Sequence, residues 1–356
     1  MLLDLQIDVP PERAVARARE LVDAGAAGLF TFEGPHDVFL PLAAAAAAGV
    51  ETDLMTNVAI AMPRSPMHLA HTAHDLQRMS GGRFRLGLGS QVRPHIENRY
   101  GATWSAPAAR MREIVLAVKA ILGAWQEGTP LDFRGEHTRH TLMPPTFVPG
   151  PLSWGPPPVL LGALGPVMTR TAAEVADGLL VMPFHSHRHV RERTLPAVEE
   201  GLARRTDPGP FEVCPQAIVA TGRTPEQLAA ATLGVRGLLA FYASTPAYRP
   251  VLDVEGWGDL QPELNALSKT AHDPQSVMTM IELVSEEMVD TLAVRGTPEE
   301  CAGELHRRFG DLAERVCCYF PGYDAGLDDI AALARALLVT NRPDFFHAVI
   351  TAWKKL

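Results

Sequence analysis

Short apolar runs alternate with amphipathic segments along most of the chain. Eight runs have the length of buried β-strands, and they span Leu2–Asp8, Ala27–Phe32, Asp53–Ala61, Phe84–Ser90, Pro158–Gly162, Gly178–Pro183, Glu212–Thr221 and Arg315–Phe320. Between them, apolar residues three and four positions apart predict helices over Glu12–Ala24, Met67–Met79 and Ala106–Trp125. Thr-Pro-Glu sequences at Thr224 and Thr297 are typical helix starts. The alternation predicts an α/β fold with a parallel sheet.

Eight strand-helix units favour one closed sheet over other α/β arrangements. A (β/α)8 TIM barrel of this kind commonly fills a chain of 356 residues as a single domain, here 1–356. An open doubly wound sheet would show the same alternation, but no GxGxxG sequence follows the first strand. The pattern therefore favours the barrel.

Two segments, about 128–158 and 242–287, interrupt the repeat. The first holds seven prolines between Pro144 and Pro158, which predicts an extended surface insertion. The second precedes the eighth strand, which predicts a lid over the barrel mouth; a decorative loop or a dimer contact is the alternative. We expect both insertions over the C-terminal face. Their aromatic residues would then line an apolar substrate site, unless they only pack the insertions onto the barrel; these residues are Phe147, Trp154, Tyr242 and Trp257.

Charge and composition exclude several classes of protein. Lys and Arg number 32 against 41 Asp and Glu, and no basic block could neutralise a nucleic-acid backbone. The apolar runs are too short for a membrane span, and the acidic N-terminal sequence does not resemble a signal peptide. We therefore expect a cytoplasmic protein with neither nucleic acid nor membrane as partner. The four cysteines fit no disulfide framework and no zinc spacing, which indicates buried thiols.

The fourth predicted strand carries the most specific chemistry. In MSGGRFRLGLGSQVRPH it ends in Gly87, Gly89, Ser90 and Gln91. Glycines at a strand end let a flat ring or a phosphate approach the main chain, and the two polar residues offer hydrogen bonds; a tight turn would use glycine equally well. Histidines recur at 68, 71 and 74 and at 185, 187 and 189, but neither set has the spacing of a metal motif, so no metal is expected. His185 lies where it could contact a phosphate or substrate.

Four stretches of the chain resemble the luciferase-like monooxygenase superfamily. They are GLFTFEGPHDVFLPLA, TNVAIAMPRSPMHLAHTAHDLQRMSGGR, FRLGLGSQVRPHIENRYG and GALGPVMTRTAAEVADGLL. Within that superfamily, SGGRFRLGLGSQVRPHIE and TPLDFRGE are most similar to the actinobacterial branch of oxidoreductases that use the deazaflavin coenzyme F420. The resemblance implies a TIM barrel that holds a flavin or deazaflavin at the carboxyl ends of its strands.

The resemblance also implies an activity. An F420-dependent oxidoreductase would transfer a hydride between the deazaflavin and a small organic substrate. The alternative is an FMN-dependent monooxygenase that uses reduced flavin and O2, with a flavin reductase as partner. Either enzyme would be a homodimer through the helices that flank strands two and three.

Site residues follow from the resemblance position by position. Asn57 and Val58 match a bulge with a non-prolyl cis peptide that supports the central ring. Glu33 matches an acidic residue that contacts F420 and, with His36, is the candidate catalytic acid or base. The remaining cofactor-binding positions are Ser90, Gln91 and His95 for the ring and ribityl chain, and Leu164, Gly165, Val167 and Met168 for the phosphate. Arginines available to an acidic cofactor tail are Arg64, Arg93 and Arg170.

Two further hypotheses belong to other classes. A non-catalytic barrel that serves as a structural partner is disfavoured by the intact Gly87, Gly89, Gly165 and Ser90. An aldolase would need a Schiff-base lysine at a strand end, and the lysines at 119, 269, 354 and 355 lie away from the predicted ends. The flavin or deazaflavin enzyme remains the favoured interpretation.

Overall fold

The computed structural model describes residues 1–270 and 274–339, and its centre is a curled parallel sheet. The strands are β1 Leu2–Gln6, β2 Gly28–Thr31, β3 Asp53–Thr56, β4 Ala59–Ile60, β5 Phe84–Gly89, β6 Phe133–Arg134, β7 Arg139–His140, β8 Val159–Ala163, β9 Gly178–Val181, β10 Glu212–Cys214, β11 Gln216–Thr221, β12 Val294–Gly296 and β13 Arg315–Tyr319. Their spatial order is β10-β9-β8-β5-β3-β2-β1-β13-β11-β12, with β4 beside β5. Strands β6 and β7 form a separate antiparallel hairpin.

Helices cover the sheet and connect its strands. They are α1 Ala14–Asp23, α2 Leu40–Ala47, α3 Pro66–Met79, α4 Arg93–Asn98, α5 Pro107–Glu127, α6 Pro166–Val175, α7 His187–His189, α8 Leu195–Leu202, α9 Pro225–Ser244, α10 Arg249–Glu255, α11 Leu260–Thr270, α12 Pro274–Glu282, α13 Glu286–Leu292, α14 Pro298–Phe309 and α15 Leu327–Val339. Short 3-10 turns lie at Pro11–Arg13, Pro145–Phe147 and Pro246–Tyr248, and a π-helical turn lies at Val190–Thr194. The predicted α/β fold is confirmed.

Each of the eight predicted runs contains a strand, and two of them are interrupted. The run at 53–61 breaks at Asn57 and Val58, and the run at 212–221 breaks at Pro215. Proline has no N–H to donate to a neighbouring strand, so it divides β10 from β11. The interruptions let one segment pair with different neighbours along its length: β10 pairs with β9, and β11 pairs with β13.

Alternate strand residues face two different apolar cores. One cluster lies within the curl of the sheet and includes Phe30, Met55, Leu160, Leu180 and Cys317. A second and larger cluster joins the opposite strand faces to the surrounding helices. All four cysteines are free and buried, which confirms the prediction of buried thiols.

Local sequence sets the start of two long helices as predicted. The Thr224 hydroxyl oxygen at the start of α9 accepts a hydrogen bond from the Gln227 backbone N–H, and the Gln227 side-chain oxygen accepts one from the Thr224 backbone N–H. Thr297 and Glu300 form the same capping box at α14. Such reciprocal bonds satisfy two amide groups that the first turn of a helix leaves without partners.

The expected position of the first insertion is wrong for its proline-rich half. The Gly150 carbonyl lies 3.1 Å from His74 Nε2, and the Pro149 carbonyl accepts a bond from Arg78, near the end of α3. Trp154 packs over Gly82, just before β5 begins, so this half lies at the amino end of the strands. The cause is connectivity, because the insertion joins the end of α5 to the start of β8.

The second insertion forms helices that pack against the carboxyl ends of the strands. Helices α9 to α13 share an apolar cluster with Ile218 and Ala220 of β11 and with Phe184, which follows β9. The rings of Tyr242 and Tyr248 pack at 5.7 and 6.1 Å from that of Phe184. These tyrosines therefore fix the insertion to the sheet, which is the packing alternative to substrate contact.

Helix length gives one further observation. Within the described residues, no single helix is long and apolar enough to cross a membrane. In the same part of the chain, α9 and Pro246–Glu255 are long and apolar enough when taken together, but the pair is bent by 95°. Much of α9 is buried against β11 and its neighbours.

Candidate functional site

Asn57 and Val58 form a sharp corner at the carboxyl end of β3, where the chain turns into β4. The peptide bond between them is cis, as the resemblance implies. The Asn57 amide N–H donates to the Thr31 carbonyl at 2.6 Å, and this bond holds the corner against β2. Asn57 is 4% exposed, yet neither atom of its side-chain amide has a hydrogen-bond partner among the described residues. Buried amides normally have partners, so this side chain is available to a ligand.

Two glycines on neighbouring strands make room for the Val58 side chain. A Cβ added at Gly89 would lie 2.4 Å from Val58 Cγ2, and one at Gly162 would lie 3.1 Å from Val58 Cγ1. At Gly87 an added Cβ would lie 1.9 Å from the Thr56 carbonyl oxygen. Gly87 therefore permits close packing against the backbone of β3, and Gly89 makes room for Val58, so packing requires both glycines of β5.

Glu33 is the centre of a hydrogen-bonded cluster beside this corner. Its Oε2 accepts bonds from the Ile60 amide at 2.8 Å and from Arg64 Nη1 at 2.6 Å. Its Oε1 accepts a bond from the Tyr100 hydroxyl at 2.8 Å. Burial, followed by this bond to the carboxylate, raises the pKa of Tyr100 to about 12. The carboxylate thus joins the ends of β2 and β4 to the chain after α4, and both its oxygens are already engaged.

Ser90, Gln91 and His95 lie after β5 and are half-buried. Gln91 has a φ of 60°, in the left-handed region that non-glycine residues rarely adopt. Its side-chain oxygen accepts a bond from the Val92 amide at 3.0 Å, and Ser90 Oγ donates to the Gln91 carbonyl at 3.1 Å. These local bonds hold the loop in shape. His95 lies in the short helix α4.

The predicted phosphate-binding turn is open. Gly165 caps helix α6, and apart from its chain neighbours no described residue comes within 4 Å of a Cβ added to it. Pro166 begins the helix, so the first available N–H groups belong to Val167 and Met168. Val167 is 54% exposed, while Leu164 is half-buried. A ten-residue helix with an uncovered amino end offers positive electrostatic potential to an anion.

His36 and the second histidine group differ in exposure. His36 is exposed in the loop between β2 and α2. His185 is buried, with Nε2 2.9 Å from the Gln216 carbonyl, which accepts the bond, and its ring packs on Phe309. Burial lowers the pKa of His185 to about 3. The expected contact of His185 with phosphate or substrate is wrong, because the side chain is buried and bonds the backbone of Gln216 at the start of β11.

Sequence reasoning missed a polar pair from the last strands of the sheet. The Tyr319 hydroxyl donates to Gln216 Oε1 at 2.5 Å and lies 3.5 Å from the Asn57 carbonyl oxygen. Burial raises the pKa of Tyr319 well above its ordinary value, so the hydroxyl stays protonated. Alternation in RVCCYF places Tyr319 on the same strand face as Cys317, which could have indicated its inward position.

The site can bind a ligand through polar groups and one open helix end. The side-chain amide of Asn57 and the backbone N–H groups at the start of α6 are available to a ligand. The Glu33 carboxylate, in contrast, is bonded to Arg64 and Tyr100. In the part of the chain that the structure describes, no three His, Cys, Asp or Glu side chains lie together as a metal site. Such an arrangement suits an organic cofactor that carries a polar ring and an anionic group.

Comparison with known proteins gives the family. The family description "Luciferase-like monooxygenase" matches residues 4–315. The chain is 45% identical over 310 residues to the uncharacterized protein Rv1360 of Mycobacterium tuberculosis, covering 87% of this chain and 89% of that protein. It is 29% identical over 309 residues to Rv3520c of the same organism, covering 81% and 84% respectively; that protein is named, provisionally, as a coenzyme F420-dependent oxidoreductase.

A solved structure shares the fold. The F420-dependent tetrahydromethanopterin reductase of Methanopyrus kandleri superposes with a TM-score of 0.76 at 18% identity, covering 96% of this chain and 98% of that one. The resemblance in the sequence motifs is thus matched by an independent likeness in the arrangement of strands and helices. The chain belongs to the luciferase-like monooxygenase family.

Proposed function

We propose that this protein is an F420-dependent oxidoreductase that transfers a hydride between the deazaflavin and a small organic substrate. The F420-linked names of Rv3520c and of the Methanopyrus kandleri reductase support the choice of cofactor. When bound, the deazaflavin would supply a ring that carries a hydride in two-electron steps. An FMN-dependent monooxygenase is the alternative within the same family.

The observation that carries the proposal is the side-chain amide of Asn57, which is buried and has no hydrogen-bond partner among the described residues. A buried polar side chain without partners costs about 1–3 kcal/mol unless a ligand or water satisfies it. Asn57 offers both a donor and an acceptor at the carboxyl ends of the strands. A deazaflavin ring carries carbonyl and N–H groups at its polar edge, so the chemistry of the two groups is complementary.

The uncovered start of α6 supports the same cofactor. F420 carries a phosphodiester, and the N–H groups of Val167 and Met168 would bind it without a charged side chain. Gly165 leaves the approach open because it has no Cβ. Ser90, Gln91 and His95 would contact the linker between ring and phosphate.

Glu33 would serve to position the residues around the corner at Asn57. Its bonds to Arg64 and Tyr100 fix the end of β2 beside the corner at Asn57. His36, exposed and in the same loop, is then the candidate that can exchange a proton with substrate.

We propose in addition that the curled sheet closes into a (β/α)8 barrel. Support comes from the segment around Pro215, because β10 pairs with β9 and β11 pairs with β13. The Cys317 amide also donates to the Pro215 carbonyl at 3.0 Å, which bridges the interruption. An experimental structure that left an open edge at Pro215 would contradict this closure.

Titration of the purified protein with F420 and, separately, with FMN tests the function. Tryptophan fluorescence reports binding, and we expect micromolar affinity for F420 with much weaker binding of FMN. Asn57→Ala should weaken F420 binding by about tenfold, the equivalent of one lost hydrogen bond to a buried group. Asn265→Ala is the matched control, because its amide already bonds the Ser244 carbonyl in the second insertion.

Each outcome distinguishes between the candidate functions. Preferential binding of FMN would overturn the hydride-transfer proposal in favour of a monooxygenase that needs a flavin reductase. Binding of neither cofactor would support a non-catalytic barrel. Equal affinities of the two asparagine variants for F420 would remove Asn57 from the site.

A further inference from the structure

A cavity of about 210 Å³ adjoins the Glu33 cluster. Its walls come from the segment between β4 and α3, the first turns of α5 and the tip of the β6–β7 hairpin. The ionisable residues that line it are Arg64, Arg110, Glu113 and His137. Met62 and Ile114 supply an apolar part of the lining.

The carboxylate in this lining is already fully engaged by the hairpin. Glu113 Oε1 accepts the Glu136 amide at 2.7 Å, and Oε2 accepts the His137 and Thr138 amides at 2.8 and 3.1 Å. Gly135 permits this approach, because a Cβ added there would lie 2.2 Å from Glu113 Oε2. The hairpin therefore closes over α5 and completes the cavity wall.

Arg110 is the cation of the cavity lining without an ionic partner. Its Nη1 donates to the Thr103 carbonyl at 2.5 Å, and it forms no ion pair within residues 1–270 and 274–339. Arg64 pairs with Glu33 at 2.6 Å and lies 3.9 Å from Asp37, and neither of these carboxylates lines the cavity. Arg110 therefore supplies the positive charge in the lining that no carboxylate compensates directly.

We propose that this cavity binds a small monocarboxylate through Arg110 and Arg64. Guanidinium groups bind carboxylates through paired N–H donors, and an anion would supply the ionic partner that Arg110 lacks. The nearby Glu113 carboxylate disfavours a second negative charge on the ligand. Met62 and Ile114 suit a short alkyl group, and the volume limits the ligand to a few carbon atoms.

This site is distinct from the proposed cofactor site and does not depend on it. Arg64 connects the two, since its Nη1 bonds Glu33 while its side chain lines the cavity. A bound carboxylate would therefore lie next to the residues that fix the end of β2. No cofactor is needed to test the binding.

Calorimetric titration of the full chain with sodium propionate, at constant ionic strength against sodium chloride, tests the proposal. We expect saturable binding of one propionate per chain, weakened at least about tenfold in Arg110→Gln. Glutamine retains a donor for the Thr103 carbonyl, so the variant should fold. Arg112→Gln is the matched control, because Arg112 lies on the same helix but pairs with Glu174.

Three results would overturn the proposal. The first is no saturable heat beyond that of chloride, and the second is equal weakening in the Arg110 and Arg112 variants. The third is tighter binding of inorganic phosphate than of propionate, which would assign the cavity to phosphate. Thermal melting of each variant by circular dichroism confirms that lost binding reflects the site. If Arg110→Gln does not fold, Arg110→Met replaces it, because methionine removes the charge, and the same weakening is expected.

Discussion

Glu33 illustrates how a residue acquires a role from its neighbours. In the sequence it is an acidic residue after an apolar run, and the resemblance makes it a cofactor contact and a candidate acid or base. In the structure its two oxygens accept three bonds, from Ile60, Arg64 and Tyr100. The carboxylate therefore connects the end of β2 to β4 and to the chain after α4.

Glu33→Gln should destabilise the fold by about 2 kcal/mol, because Arg64 loses its ionic partner in a partly buried cluster. Chemical denaturation monitored by circular dichroism measures the change in the free energy of unfolding. Glu97→Gln is the control, since its ion pair with Arg93 is exposed and should contribute less than about 0.5 kcal/mol. Equal effects of the two substitutions would show that the Glu33 cluster is not structurally important.

At the scale of elements, the glycines of β5 and the turn at α6 differ in what surrounds them. Gly87 lies against the backbone of β3, which cannot yield, whereas Gly165 has open space around it. The sequence presents both only as glycines at strand ends. Their surroundings show that Gly87 has a packing role, whereas Gly165 faces solvent or a ligand.

Gly87→Ala should therefore lower the free energy of unfolding by about 3 kcal/mol, because its Cβ would collide with the Thr56 carbonyl. Gly165→Ala should change it by less than about 0.5 kcal/mol, since the φ of −75° suits alanine. Urea unfolding of both variants makes the comparison. A tolerated alanine at position 87 would contradict the observed packing of β5 on β3.

The position of the first insertion also leads to a prediction at this scale. Trp154 packs over Gly82 at the amino end of β5, away from the proposed cofactor site. Trp154→Phe should therefore leave F420 affinity unchanged within about twofold, which calorimetry can measure without relying on tryptophan emission. A large loss of affinity, with thermal stability retained, would place the insertion near the cofactor after all.

At the scale of the whole molecule, buried histidines link stability to pH. Burial lowers the pKa of His185 to about 3 and that of His189 to about 4, from an ordinary value of 6.5. The unfolded chain therefore binds protons at a higher pH than the folded protein. The stability that depends on neutral histidines is fully present above pH 6.5 and is lost as pH falls from there toward 3.

We expect the melting temperature to fall between pH 6.5 and pH 4 more steeply in the native protein than in His185→Gln, which can still donate to the Gln216 carbonyl. Differential scanning calorimetry across this range measures the slopes. His36→Gln, an exposed control, should retain the native slope. If His185→Gln and the native protein show the same slope, the buried imidazole does not control acid stability.

Local sequence patterns were enough to predict the alternation of strands and helices and the family. Apolar periodicity and capping are local properties, so each of the eight predicted runs contains a strand, and motifs of contiguous residues carry the family resemblance. The short strands β6, β7 and β12 and the helices α10 and α11 of the second insertion were not predicted, because they carry no comparable apolar run. Even the break at Asn57 and Val58 lies within one continuous motif.

Which distant side chains meet, and where the insertions lie, depends on the three-dimensional arrangement of the strands. Glu33 bonds residues 31 and 67 positions away, and Tyr319 bonds Gln216 across 103 positions. No periodic pattern encodes such pairs, because they depend on which strands become neighbours. The proline-rich insertion was misplaced for a related reason: its composition predicts an extended surface segment but not the end of the sheet on which that segment packs.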